Sequence, residues 1–255
     1  PGTVVYKGSE YGALKNLESD FSGDRRLSEH LDFGKCTEEY SRVWADFLKT
    51  GSLPKKDAAS VPEDFQCSQV FYQTLKESVC KSEKDNWYAH YQLGLMHWYY
   101  GHISRARKEL MTSEELQSNP WSCHALGILN HDDPAAAVNY IKNGLSMRNF
   151  DLTYVKEAFQ QFLILNAGQE LLDAYSELPE EIKLDSRIRY DYMSALAMTG
   201  NYQKGYNILM ADENYILEDL RECETSIGTL YRNLYKGVFG TDPDSIPSQW
   251  DFDAL

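Results

Sequence analysis

The chain has 255 residues, of which 42% are hydrophobic and 13% aromatic, and its formal net charge is -14. The apolar fraction is large enough to form a core, which excludes a wholly disordered chain. The excess of 39 acidic over 25 basic residues disfavours nucleic acid and membrane surfaces as partners, since both attract Lys and Arg. No apolar run reaches the roughly 18 residues of a membrane span. Five scattered cysteines without a CxxC pair favour reduced thiols in a cytoplasmic protein.

The N-terminal part of the sequence divides into an arm and a helical pair. Residues 1–36 contain five glycines and few periodic apolar positions, which predicts an irregular N-terminal arm. Residues 37–84 predict two helices joined by a polar linker at 55–64. Thr37 is the expected N-cap of the first helix, and Gly51 its expected C-terminal residue. The first helix carries one apolar stripe at helical spacing, made of Tyr40, Val43, Trp44, Phe47 and Leu48.

Residues 85–212 carry a repeat. Three glycines each separate two apolar helical segments: Gly168 follows Gly101 by 67 residues and precedes Gly200 by 32. A further helix break lies at 131–134. These spacings approximate multiples of 33 or 34 residues, which is the period of tetratricopeptide helical hairpins.

Small residues recur at fixed offsets within these hairpins. In the first unit, Leu93-Gly94 precedes Ala106 and Leu110 by the distance at which two crossing helices meet. The second unit repeats this pattern with Leu126-Gly127, Ala137 and Ile141, and the fourth places Gly205 and Leu209 at the positions of Ala106 and Leu110. We therefore predict an all-α fold: a tetratricopeptide-like, right-handed superhelix of helical hairpins at 85–212, followed by a C-terminal helix and tail at 213–255.

Several short stretches carry a resemblance to a known family. They are residues 6–14, 50–54, 86–94, 219–226 and 246–252. Together they resemble the C-terminal part of a bacterial family of unknown function, in which a β-sandwich domain similar to those of carbohydrate-active enzymes precedes a tetratricopeptide tail. The chain departs from that pattern at Gln92, where we expect His, and at Cys223, where we expect Gly. The resemblance implies that a β-sandwich domain precedes Pro1 in the parent protein and that any catalytic machinery lies there.

Signatures of catalysis and metal binding are absent from the sequence. There is no P-loop, no HExxH motif and no Gly-x-Ser-x-Gly elbow. Four of the six histidines fall in the first two repeats, but no Cys or carboxylate is spaced to complete a metal site with them. We predict no catalytic residue, no metal and no cofactor for this chain.

Aromatic residues are concentrated in the first repeat and offer a binding surface. Tyr and Trp are effective interface anchors because they bury a large area at a low cost in entropy. Counted from the Leu-Gly landmark, the positions that line the concave face of a tetratricopeptide array are Tyr88, Tyr91, Trp98, Tyr99, Trp121, His124, Arg187 and Tyr190. The same rings could instead pack between repeats.

Two functions follow from these patterns. In the first, the chain is a non-catalytic scaffold whose concave face binds a protein segment or the β-sandwich domain of its own parent protein. A charged stretch is the expected docking point for that domain; it comprises Asp219, Arg221, Glu222 and Glu224. In the second, the chain belongs to a carbohydrate-active enzyme and supplies aromatic rings to a glycan site.

Overall fold

The regular secondary structure of the described part of the chain is almost entirely helical. The computed structural model describes residues 6–7, 10–27, 31–81, 85–212, 215, 217 and 227–251. They contain thirteen α-helices, one 3₁₀ turn and a single two-residue parallel pairing of Tyr6–Lys7 (β1) with Leu31–Asp32 (β2). The all-α prediction is confirmed. The chain divides into two compact units, Pro1–Leu126 and Gly127–Leu255.

The helices of the first unit are α1 (Glu10–Ser22), α2 (Glu39–Thr50), α3 (Gln69–Ser78), α4 (Trp87–Tyr99) and α5 (Ile103–Leu116). Helix α6 (Pro120–Leu129) begins in the first unit and ends in the second. The second unit continues with α7 (Pro134–Arg148), α8 (Leu152–Ile164), α9 (Gly168–Ser176), α10 (Glu180–Lys183), α11 (Ser186–Met198), α12 (Tyr202–Met210), α13 (Ile227–Phe239) and the 3₁₀ turn Ser248–Trp250. Among the described residues, no helix has both the length and the apolar character needed to span a membrane.

The predicted irregular arm is wrong for residues 10–22, which form α1. Its apolar positions are too few to give a periodic signal, yet Leu14 is buried in the core of the first unit. The N-cap residue of α2 is Glu38 rather than the predicted Thr37, and the Glu38 side chain makes no capping hydrogen bond. Helix α1 supplies a carboxylate instead. The Glu10 carboxylate accepts hydrogen bonds from the backbone N–H groups of Thr37 and Glu38, at 2.7 and 2.8 Å, and from the Ser41 hydroxyl at 2.6 Å. The N-terminus of α2 is thus capped by a carboxylate from another helix.

Helices α2 and α3 pack their apolar stripes against each other. The rings of Trp44, Phe47 and Phe71 meet with centroids 5.4 to 6.4 Å apart, and all three are fully buried. Gly51 ends α2 with a left-handed backbone (φ 64°), as predicted. The loop that follows leads across the first unit and is described with the candidate site.

Three helical hairpins turn in the same way. The residue that breaks the first helix is left-handed in each: Gly101, Asn166 and Gly200 have φ angles of 75°, 55° and 77°. The next residue donates its backbone N–H to the carbonyl five positions earlier, at 2.8 Å in all three turns, as His102 does to His97. This is the hydrogen bond of a Schellman C-cap, and its recurrence supports a common hairpin unit.

The third of these turns lies at Asn166 rather than at Gly168. Asn tolerates the left-handed region better than most residues, and Asn166 precedes Gly200 by 34 residues, which is the repeat length predicted from the sequence. Gly168 instead begins α9 and approaches α11 closely: a Cβ on it would lie 3.1 Å from the Cβ of Met198. Gly168 therefore serves helix packing, while the polar Asn166 forms the turn.

The small residues of the first two hairpins lie where the sequence predicts. A Cβ on Gly94 would meet Leu110 Cγ at 2.7 Å, with the carbonyl of Ala106 at 3.4 Å. A Cβ on Gly127 would meet Ile141 Cγ1 at the same 2.7 Å. Glycine is thus needed on the first helix of each hairpin so that the second can approach.

Candidate functional site

Helix α4 positions most of the predicted binding residues. It begins at the Asn86 N-cap, whose side chain accepts a hydrogen bond from the Ala89 backbone N–H at 3.0 Å. Nine of its thirteen residues are buried, so α4 is enclosed over most of its circumference. What encloses its aromatic face is a stretch of the chain itself, residues 53–67, which we name the crossing segment.

The crossing segment is held mainly through its backbone carbonyls. The indole N–H groups of Trp87 and Trp121 donate to the carbonyls of Lys56 and Ala58, at 2.7 and 3.0 Å. The Gln92 side-chain amide donates to the carbonyl of Glu63 at 2.7 Å. Side chains that donate hydrogen bonds to main-chain carbonyls can bind an extended chain of any sequence. Peptide-binding grooves use contacts of this kind.

Trp44 of α2 adds a fourth contact of the same kind, because its indole N–H donates to the carbonyl of Asp64 at 2.9 Å. The sequence predicts a polar linker at residues 55–64. The structure places them as an ordered loop instead, with Leu53 fully buried at its start.

A charged group lies at the centre of this contact. The Glu63 carboxylate pairs with the Lys56 ammonium and accepts the hydrogen bond of the Tyr88 hydroxyl. Lys56 Nζ also lies 5.3 Å from the centroid of the Tyr88 ring, a cation–π distance. Burial acts to raise the pKa of Glu63, but the hydrogen bonds from Lys56 and Tyr88 outweigh it and the net pKa is lowered. Burial raises the pKa of Tyr88 well above its usual range, and the hydrogen bond to the Glu63 carboxylate raises it further. Tyr88 is therefore neutral and donates to Glu63.

The C-terminal end of the crossing segment meets the last turn of α4. The Phe65 and Tyr99 rings lie with centroids 5.9 Å apart. The Tyr100 hydroxyl donates to the Cys67 carbonyl at 2.5 Å. Tyr99 remains 58% exposed, while Tyr88 at the other end of α4 is fully buried. The face therefore opens progressively from Tyr88 to Tyr99.

The structure brings six of the eight predicted concave-face residues together in the first unit. Tyr91, Trp98, Trp121 and His124 are half-buried, Tyr88 is buried and Tyr99 is exposed. Arg187 and Tyr190 lie in the second unit, both on α11 and both buried.

Helix α11 is also covered by a part of its own unit. The Tyr215 hydroxyl donates to the Ser186 carbonyl, and the Tyr215 carbonyl accepts from the Trp250 indole at 3.3 Å. Tyr190 packs in the same apolar cluster as Tyr215 and Trp250. Arg187 forms an ion pair with Asp191 one turn further along α11, at 3.5 Å. In the first unit, the crossing segment precedes α4 in the chain and covers its aromatic residues. In the second unit, Tyr215 and Trp250 follow α11 in the chain and pack with its Tyr190.

Sequence reasoning missed the residues that hold the crossing segment. Glu63 and Lys56 stand in a polar stretch with Pro62, which gives no periodic signal. Gln92 appeared only as a departure from the resemblance. The available signal was a Trp-containing helix close in sequence to a polar loop. Buried indole N–H groups need hydrogen-bond acceptors, and the carbonyls of such a loop can provide them.

The histidines of α4 take part in ion pairs and hydrogen bonds. His90 is buried between Asp85 and Glu109, with Nε2 and Nδ1 each 2.6 Å from a carboxylate oxygen. His97 Nδ1 lies 2.9 Å from the Tyr72 hydroxyl. Among the described residues, no group of three or more His, Cys, Asp or Glu is placed to hold a metal ion. The predicted docking residues Asp219, Arg221, Glu222 and Glu224 lie outside the described residues.

No protein-family model, curated protein or solved structure matches this chain. The site geometry and the repeat geometry are therefore the grounds for a functional proposal.

Proposed function

We propose that the hairpins from α4 to α12 are tetratricopeptide-like repeats and that the chain is a scaffold that binds an extended protein segment on its first helices. The recurring Schellman turns and the close contacts at Gly94 and Gly127 support the repeat assignment. The right-handed superhelix expected of such repeats remains a prediction. Fold alone does not establish function, so the argument for binding rests on the α4 face.

The observation that carries the proposal is the way α4 and α6 hold the crossing segment. Three side-chain donors, from Trp87, Gln92 and Trp121, converge on carbonyls of one continuous loop, which turns at 58–60. A surface that satisfies main-chain carbonyls with fixed side-chain donors is chemically a peptide-binding surface, and it does not require its occupant to be covalently attached.

A glycan site is the alternative, and one feature favours it. Tyr99 presents an exposed ring beside the half-buried Trp98, and aromatic faces stack on sugars. The rings of Tyr88 and Trp121, however, are engaged by the crossing segment. The protein-segment function is therefore better supported.

Selection of peptides on the intact chain tests the proposal. A displayed library of random peptides, each about 15 residues long, would be panned against the protein, and enriched peptides measured by fluorescence anisotropy. In a chain whose crossing segment is already weakened by Glu63→Ala and Phe65→Ala, we expect Gln92→Ala and Trp121→Phe to weaken their binding about fivefold or more, since each removes a hydrogen bond to the bound backbone and little internal competition offsets the loss. Met111→Ala, at an exposed site on α5, is the matched control and should change nothing. Failure to enrich any peptide, or equal binding by all three variants, would contradict the proposal. An oligosaccharide panel followed by Trp fluorescence tests the glycan alternative.

A second partner rests on the resemblance alone: a β-sandwich domain, if the parent protein carries one, which we propose docks through the 219–224 stretch. Co-purification of a separately expressed sandwich domain with the Arg221→Ala variant tests this docking. Association undiminished by the substitution would rule it out.

A further inference from the structure

The crossing segment also indicates which side chains a partner would need. We propose that the segment recognised by the α4 face carries a carboxylate and, two residues later, an aromatic side chain, and that it competes with residues 53–67 for this face. This inference rests on the proposed function and deepens it: the crossing segment is the intramolecular counterpart of the partner, and Glu63 and Phe65 supply its two side-chain determinants.

The first determinant is a built recess for one carboxylate. Glu63 lies with its side chain 7% exposed, between the Tyr88 hydroxyl and the Lys56 ammonium. Of these two, Tyr88 belongs to the face; it is neutral and fully buried, and its hydroxyl donates to Glu63. A buried hydroxyl placed in this way strongly favours an acceptor opposite it, since an apolar side chain would leave it unsatisfied.

The second determinant is the exposed end of the face. In an extended chain, residues two positions apart point to the same side, so Glu63 and Phe65 can both reach α4. Phe65 meets the Tyr99 ring, 5.9 Å away, and Tyr99 keeps more than half of its surface in solvent. An aromatic side chain of a partner would find the same ring accessible. The acid-x-aromatic spacing recurs in the sequence at Glu213 and Tyr215, and Tyr215 lies against α11 in the second unit.

The fit of the crossing segment is incomplete at one buried atom. Gln92 is fully buried and its amide nitrogen serves the Glu63 carbonyl, but its Oε1 accepts no hydrogen bond from the described part of the chain. A competing segment that donates to this oxygen gains a contact that the crossing segment lacks. A competing segment can therefore displace the crossing segment more readily than it could displace a core element whose buried polar atoms are all hydrogen-bonded.

The experiment uses a fluorescein-labelled peptide of residues 53–67 and the full chain. The opened variant, Glu63→Ala with Phe65→Ala, weakens the internal occupant without touching the face. We expect it to bind the peptide at least tenfold more tightly than the wild type, because a tethered segment competes at high effective concentration. Val61→Ala, at a site 64% exposed on the same segment, should behave like the wild type. Peptides carrying Glu63→Gln or Phe65→Ala should bind the opened variant about tenfold more weakly.

The inference is overturned if the opened variant, with the far-ultraviolet circular dichroism and cooperative melting of the wild type, binds the native peptide no better than a scrambled one. If the double substitution prevents folding, Glu63→Gln alone in the chain is the milder test, with the same expected direction. Library peptides that bind the face without the acid-x-aromatic pattern, or without competing with residues 53–67, overturn this inference and leave the proposed function intact. The absence of any peptide binding to either protein overturns both.

Discussion

Gly94 and Leu110 are in direct contact across the α4–α5 hairpin: a Cβ on Gly94 would stand 2.7 Å from Leu110 Cγ and 3.0 Å from its Cδ2. Leu110 is fully buried, so it has little freedom to withdraw. Helices α4 and α5 can therefore approach this closely only because residue 94 has no Cβ. Gly127 and Ile141 repeat the relationship at the same distance in the next hairpin.

The first prediction concerns this contact. Gly94→Ala should lower the free energy of unfolding by about 1–3 kcal/mol, because the added methyl overpacks the hairpin. The intrinsic helix propensity of Ala acts in the opposite direction but is smaller, about 1 kcal/mol. Urea unfolding followed by circular dichroism measures the change.

A double-mutant cycle with Leu110→Ala identifies the cause. Leu110→Ala alone should cost about 2–5 kcal/mol by leaving a cavity, and in its presence Gly94→Ala should cost little, since the clash is gone. Ser104→Ala, at an exposed site on α5, serves as the surface control. If the effects of the two substitutions are additive, the contact between residues 94 and 110 is not the cause of the destabilisation by Gly94→Ala.

The helical hairpins and the close contacts within the first two could be predicted from sequence, because they depend on local and periodic signals. Gly, Ala and Leu at fixed offsets predicted the contacts of Gly94 with Leu110 and of Gly127 with Ile141. Helix α1 could not be predicted in this way, since its stability comes from burial against other helices rather than from its own periodicity. Its Glu10 caps α2 from outside that helix, and such a long-range cap has no signature in the local sequence.

The candidate site was predicted in its aromatic half only. Counting from the Leu-Gly pairs of the predicted repeats selects Tyr88, Tyr99 and Trp121 as binding residues. The crossing segment did not, because polar residues such as Lys56 and Glu63 are typical of exposed loops, and their pairing with α4 depends on tertiary structure. The buried state of Tyr88 follows from that same pairing.

The second prediction concerns the Glu10 cap. The hydrogen bonds from Ser41, Thr37 and Glu38 lower the pKa of Glu10 from 4.5 to about 2. A carboxyl with a depressed pKa stabilises the folded state above its unfolded pKa, and this contribution is lost as the pH falls from about 4.5 towards 2. Glu10→Gln should therefore be less stable than the wild type at neutral pH, and the difference should disappear in acid.

Thermal melting of both proteins from pH 7 to pH 2 measures this effect. Glu38→Gln, which alters an exposed carboxylate beside the same helix terminus, is the control for general charge effects. A difference between Glu10→Gln and wild type that persists unchanged at pH 2 would argue against the carboxylate cap.

The third prediction concerns His90. Burial acts to lower its pKa, but Glu109 and Asp85 outweigh burial and the net pKa is raised above 6.5. A raised pKa means that the stabilising contribution of His90 is fully present below about pH 6.5 and is lost as the pH rises through the folded-state pKa. Against a His90→Gln reference, the wild type should lose relative stability on the alkaline side.

Urea unfolding of the two proteins between pH 5.5 and pH 9 provides the comparison. His102→Gln, at an exposed histidine near the same hairpin, is the matched control and should track the wild type. A wild-type advantage that grows with rising pH would have the wrong sign for this account.

The fourth prediction concerns the indole contacts to the crossing segment. Trp121→Phe keeps an aromatic ring but removes the N–H that donates to the Ala58 carbonyl. Loss of one such hydrogen bond costs about 1 kcal/mol, which corresponds to about a fivefold rise in local opening of the segment. Limited proteolysis between Lys55 and Glu63 should accelerate by that factor, while cleavage elsewhere keeps its wild-type rate.

Amide hydrogen exchange with a bound competitor tests the central claim most directly. A peptide selected on the α4 face would be added to the full chain, and exchange followed by mass spectrometry in residues 53–67 and 87–99. If the face is a binding surface that the chain occupies itself, exchange in the crossing segment accelerates on peptide addition while α4 stays protected. If both regions exchange together, and only through global unfolding, with no response to the peptide, the crossing segment is simply a part of the core and the account is wrong.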